Sequence, residues 1–178
     1  MQFEIQWQRI IALNATGKEN RMQKLQEEQG ELAGALNCGR RQAIMSEGID
    51  VLLMLLSIYG DHHKEDTDIA RLGELASSII KAFNKCSDSH YSIVRQYLIV
   101  AEQIGVIAEL NQKIDGVASS TYKLDSADTT DLLENQRTSV LAQAMNSVIG
   151  LIASTEFSQD EIQAEYNMKM DKWENVSK

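Results

Sequence analysis

An all-α helical bundle is the fold class this chain predicts, and three observations predict it. None of its 178 residues is proline, the residue that ordinarily punctuates loops and helix ends. Apolar residues recur at intervals of three and four along most of the chain, the period of a helix with one buried face. The interruptions fall at Thr16-Gly17, Asn37-Cys38-Gly39, Gly60-Asp61, Ser87-Asp88-Ser89 and Ser158, residue types that cap or end helices.

Taken in order, Phe3, Trp7, Ile10 and Ile11 mark a first helix, and Met22, Leu25, Leu32 and Leu36 a second. A third carries the nearly unbroken apolar run Val51-Leu52-Leu53-Met54-Leu55-Leu56 and ends near Tyr59. Further helical patterns cover 69–83, 93–110, 132–151 and 162–173, which makes seven helices. The longest irregular piece, about 115–130, contains Gly116, Ser119, Ser120 and Ser126 and reads as a mobile surface connection or lid.

Composition bounds the function. The length suits a single domain, 1–178, and 43% hydrophobic residues suffice for a core. There is no run of eighteen apolar residues and no signal-peptide pattern at Met1-Gln2-Phe3-Glu4, so a cytoplasmic protein without a membrane span is expected. Cys38 and Cys86 are too few for a disulfide framework and read as free thiols. A net charge of -9 argues against nucleic acid as a partner. Nucleotides can still bind an acidic protein when cations supply the local positive charge.

Two acidic pairs stand out: Glu28-x-x-Glu31 in the second helix and Glu47-x-x-Asp50 at the head of the third. Residues three apart share a helix face, so two such helices packed antiparallel bring four carboxylates together. Leu25 and Leu32 flank Glu28, and Asp50 opens the apolar run. Acids there point into a packed interface, where an uncompensated charge costs roughly several kcal/mol, so they take up protons or hold cations. Oxygen-only ligands suit Mg, with Mn as the alternative. Against this stands the simpler reading of a Glu-rich solvated face.

The two halves of the chain, 1–86 and 87–178, also align. Glu28-Gln29 and Leu36-Asn37 match Glu102-Gln103 and Leu110-Asn111, while Glu31 becomes Gly105, Glu47 becomes Gln143 and Asp50 becomes Asn146. The second half then reads as a degenerate copy whose neutral amides are satisfied by hydrogen bonds alone and which scaffolds the first.

The segment Gln23-Lys24-Leu25-Gln26-Glu27-Glu28-Gln29-Gly30-Glu31-Leu32-Ala33, followed by Glu47-Gly48-Ile49-Asp50-Val51-Leu52, resembles the signature of the all-α nucleoside triphosphate pyrophosphohydrolases, the MazG-like and dimeric dUTPase-like superfamily. The likeness covers about the first third of the chain and is far more specific than acid spacing. It implies a MazG-like four-helix core, homodimers or higher homo-oligomers, and Mg held by Glu28, Glu31, Glu47 and Asp50. It also places Lys24 and Glu27 in the catalytic segment.

Ser158-x-x-Glu161-Ile162 with Tyr166-x-x-Lys169 is similar to the C-terminal helix of the dCTPase and dUTPase branch, which implies that Lys169 approaches the phosphates. Met170 and Trp173 stand where that branch carries asparagines, so its pyrimidine preference does not carry over. The activity implied is hydrolysis of a (deoxy)nucleoside triphosphate to the monophosphate and pyrophosphate. Water acidified by the metal attacks the α phosphorus, and Glu28 or Glu27 accepts its proton. Trp7, Asn14 and Asn37, on helices beside the acids, are candidates for the base slot.

Other chemistries lack their residues. A ferritin-like di-iron site needs Glu-x-x-His, and His62, His63 and His90 have no Glu three residues before them. There is no Gly-x-x-x-x-Gly-Lys loop. The non-enzymatic alternative is a helical regulatory or interaction module that binds a structural divalent ion.

Overall fold

The structure, a computed structural model, describes residues 3–16, 20–62, 93–115 and 127–176. These form α1 (Trp7–Thr16), α2 (Arg21–Cys38), α3 (Arg41–His62), α4 (Ile93–Ile114), α5 (Ala127–Ala153) and α6 (Gln159–Val176). Among the described residues every regular element is a helix, so the expected all-α class is borne out. The helix expected over 69–83 and the break at Ser87-Asp88-Ser89 lie outside the described residues.

α3 is the axis of the bundle. Ile44, Met45, Ile49, Val51 to Leu56, Ile58 and Tyr59 are all buried, the pattern of a helix covered on all sides. It packs against α1, α2, α5 and α6, while α4 packs on α5 and touches α2. By length and composition α3 could cross a membrane, yet 78% of its apolar window is buried inside this fold.

Local chemistry sets the turns. Asn20 caps α2, its side chain accepting from the Gln23 amide at 3.2 Å. α2 stops at Gly39, whose φ of 65° is left-handed and whose amide donates to the Leu36 carbonyl at 3.1 Å. Only Gly39 and Arg40 separate α2 from α3, so the two helices form an antiparallel hairpin. Ahead of α6, the Ser158 amide donates to Glu161 at 2.8 Å and the Glu161 amide to the Ser158 hydroxyl at 3.3 Å. This is a reciprocal capping box.

Three boundaries differ from expectation. Phe3 lies ahead of α1 in a non-helical segment, with its ring edge-on to Tyr166 at 5.4 Å. α5 starts at Ala127, inside the stretch expected to be irregular.

α3 runs through Gly60-Asp61 to His62. A Cβ at Gly60 would lie 2.9 Å from the Trp7 ring and 3.1 Å from Asn14 Nδ2, so this glycine serves close approach of α1 rather than a helix stop. Gly60→Ala is expected to cost about 1–3 kcal/mol through overpacking, read as a lower urea midpoint at unchanged slope.

The N-terminal segment and α1 fix α6 in place. The Glu4 amide donates to Gln163 at 2.6 Å, and Gln163 donates back to the Glu4 carbonyl at 3.2 Å. Arg9 pairs with Asp171 and Glu174, each at 2.6 Å. α6 is thereby held beside α3, which it also contacts directly.

Candidate metal centre

The α2–α3 hairpin brings the acidic pairs together. Glu28 of α2 and Glu47 and Asp50 of α3 each offer a carboxylate oxygen, and these oxygens all lie within 4.8 Å of one another. Glu31, the fourth expected ligand, lines the same cavity but is exposed and stands outside this close group. Glu28 is buried because its neighbours on the same face, Leu25 and Leu32, are fully enclosed.

Two lysines close the site. Lys24 Nζ sits 2.9 Å from Glu28 and 3.1 Å from Glu27, and Lys169 of α6 donates to Asp50. Ser46 donates to Glu165 at 2.7 Å one turn before that pair.

Burial raises the Asp50 carboxyl above its usual range, opposed by the hydrogen bond and charge of Lys169. Burial also raises Glu47, opposed by Lys169 and reinforced by Asp50, Glu31 and Glu28. For Lys169, burial works against the charge, but Asp50, Glu47 and Glu165 together keep its ammonium above the ordinary lysine value. Hydrogen bonds to Glu28 and then Glu27 raise Lys24.

The group fits a hard divalent cation. The donors are carboxylate oxygens from two helices, and Glu47 Oε2 is buried without a hydrogen-bond partner. An orphaned buried carboxylate oxygen is costly unless a cation meets it.

Raised carboxyl pKa values also fix the pH behaviour. Cations need the ionised acids, so protons compete more strongly here than at ordinary carboxylates. Mg affinity is therefore expected to fall as pH drops, starting above the usual carboxylate range, in titration calorimetry between pH 8 and 5. Without metal the sign of the stability effect reverses. An acid whose folded pKa is raised favours the folded state at low pH, and that contribution is lost as pH rises through the folded value.

The cavity, of about 390 Å³, is lined by Lys24, Glu28, Glu31, Glu47, Asp50, Leu53, Met54, Lys169, Lys172 and Trp173. Glu27 does not line it and is exposed on the neighbouring face of α2.

None of the three residues expected for a base slot lines it either. Trp7 packs edge-on against Tyr59 at 6.3 Å. Asn14 is buried, donating to the Ser57 carbonyl at 2.8 Å and accepting from the Ser57 hydroxyl at 2.6 Å. Asn37 is exposed near the end of α2. Trp7 and Asn14 instead join α1 to α3, on the side where Gly60 admits them.

The cavity residues the sequence reading passed over as binding groups are Lys172, Trp173, Leu53 and Met54. Their signal was helical spacing: 172 and 173 follow Lys169, and 53 and 54 follow Asp50, by three and four positions.

On α5, Gln143 and Asn146 are both exposed. The Gln143 amide donates to the Ser139 hydroxyl at 3.4 Å, and with both side chains at the surface the pair forms no second buried cradle among the described residues. Glu102, the counterpart of Glu28, is likewise exposed.

Comparison with protein-family models, curated proteins and solved structures finds no match to this chain.

Proposed function

We propose that the protein is a hydrolase acting on acid anhydrides, an Mg-dependent nucleoside triphosphate pyrophosphohydrolase that converts a (deoxy)nucleoside triphosphate to the monophosphate and pyrophosphate. The observation that carries this reading is the convergence of Glu28, Glu47, whose Oε2 is orphaned, and Asp50 with two lysines, at the edge of one cavity. The resemblance of the Lys24–Glu31 and Glu47–Asp50 segments to the all-α pyrophosphohydrolases supports it. The cavity volume lies within the range of small-molecule sites.

Glu28, Glu47 and Asp50, joined by Glu31 at the rim, would hold Mg or Mn. A divalent cation there supplies positive charge against the triphosphate and acidifies water. Glu28 would take the proton of the water that attacks the α phosphorus, since Glu27 does not line the cavity. Lys24 and Lys169 neutralise the carboxylates in the metal-free protein. With a divalent cation held by those oxygens, both ammonium groups would be available to phosphate oxygens, where negative charge builds in the transition state.

The test is incubation with Mg and a panel of ribo- and deoxynucleoside triphosphates, assayed for pyrophosphate. The reading expects pyrophosphate and monophosphate in equal amounts from at least one of them. Release from none, while Mg raises the melting temperature of wild type and not of Glu47→Gln, favours the ion-binding regulatory module instead.

A further inference from the structure

The face that α6 turns toward the cavity has a register that extends beyond the acids. Ser46 meets Glu165 and Asp50 meets Lys169, and both pairs are separated by the same 119 residues. α3 and α6 therefore run parallel and in step, one turn per rung, or about 6 Å at 1.5 Å per residue. The next rung sets Met54 opposite Trp173, and both line the cavity. The ladder passes from a polar rung, through the ion pair at the acids, to an apolar rung.

Trp173 packs against the core only in part. α6 makes its core contact through Ile162, Tyr166 and Met170, all fully buried. Glu165, Lys169 and Trp173 form the adjacent stripe, and each is half-buried. A large aromatic side chain on a stripe shared with a glutamate and a lysine leaves indole surface toward the cavity. Leu53 and Met54, nearly enclosed, back the same end.

We propose that Trp173, with Met54 beside it, is the platform on which the base of the bound nucleotide stacks. This rests on the triphosphate reading of the site. Phosphates held at the acid and lysine end leave the base one turn further along α3 and α6. There it meets a flat, polarisable surface, with Lys172 also lining the cavity. Stacking on an aromatic ring accepts any base, because every base has a π-face. The platform therefore gives affinity for nucleosides over bare polyphosphate, not selection among bases.

The test compares two probes on wild type, Trp173→Ala and Trp173→Phe in Mg by titration calorimetry: α,β-methylene deoxynucleoside triphosphates, which resist cleavage, and inorganic tripolyphosphate, which lacks a base. Trp173→Ala is expected to weaken nucleotide binding about 10- to 100-fold, leave tripolyphosphate within about twofold, and be largely rescued by phenylalanine. Nucleotide is also expected to quench tryptophan emission in wild type and not in Trp173→Phe, where Trp7 is the remaining tryptophan.

Equal weakening of both probes in Trp173→Ala, or no weakening of either, overturns the platform. A wild type that binds both probes equally overturns the platform and leaves the phosphate site standing. A wild type that binds neither overturns both readings.

Discussion

Asp50→Asn is expected to lower pyrophosphate release by about 10²- to 10⁴-fold, the rate equivalent of several kcal/mol of lost charge stabilisation. The asparagine keeps the shape of the side chain and one oxygen, so the fold is retained and the loss is electrostatic. Asn146→Ala changes the counterpart position on α5, which is exposed and far from the acids in sequence. It is expected to leave turnover within about twofold, as surface substitutions ordinarily do. Initial rates and melting curves of the two variants, measured side by side, separate chemistry from stability. Equal losses in both would mean that the site is not confined to the α2–α3 hairpin.

Lys169→Met is expected to move two measurements in opposite directions. Lys169 is the cation on Asp50 in the metal-free protein. Removing it leaves a largely buried carboxylate unpaired, which costs about 1–3 kcal/mol after allowance for partial exposure. Mg then meets no competing ammonium, so its affinity is expected to rise about tenfold, and saturating Mg restores much of the melting temperature. Turnover is expected to fall, because the ammonium no longer reaches the phosphates. A lysine with only a structural role would lower stability with and without Mg and leave Mg affinity unchanged. Calorimetry, melting and initial rates together distinguish the two cases.

The bundle was legible wherever a local rule acts alone. Gly39 ends α2 because its left-handed φ suits glycine, and Ser158 with Glu161 starts α6 through a box completed within four residues. Gly60 was misread because a glycine near the end of an apolar run reads as a stop. Its actual constraint is the Trp7 ring, more than fifty residues away in sequence.

The acidic site followed the same division. Spacing placed Glu28 with Glu31, and Glu47 with Asp50, each on one helix face. A two-residue turn then sufficed to bring Glu28, Glu47 and Asp50 together. Which residues wall the cavity depends on how α6 docks on α3, and that docking is set by Phe3 and Glu4 of the N-terminal segment and Arg9 of α1 holding α6. No local pattern reports such contacts. Trp7 and Asn14 were accordingly taken for cavity residues when they belong to the α1–α3 seam, while Trp173 was noted without being assigned to the cavity.

The most direct measurement is hydrolysis in ¹⁸O-labelled water with Mg, followed by mass spectrometry of the products. Attack on the α phosphorus predicts the label in the nucleoside monophosphate and unlabelled pyrophosphate. Label in pyrophosphate, release of orthophosphate, or no hydrolysis of any nucleoside triphosphate would contradict the account.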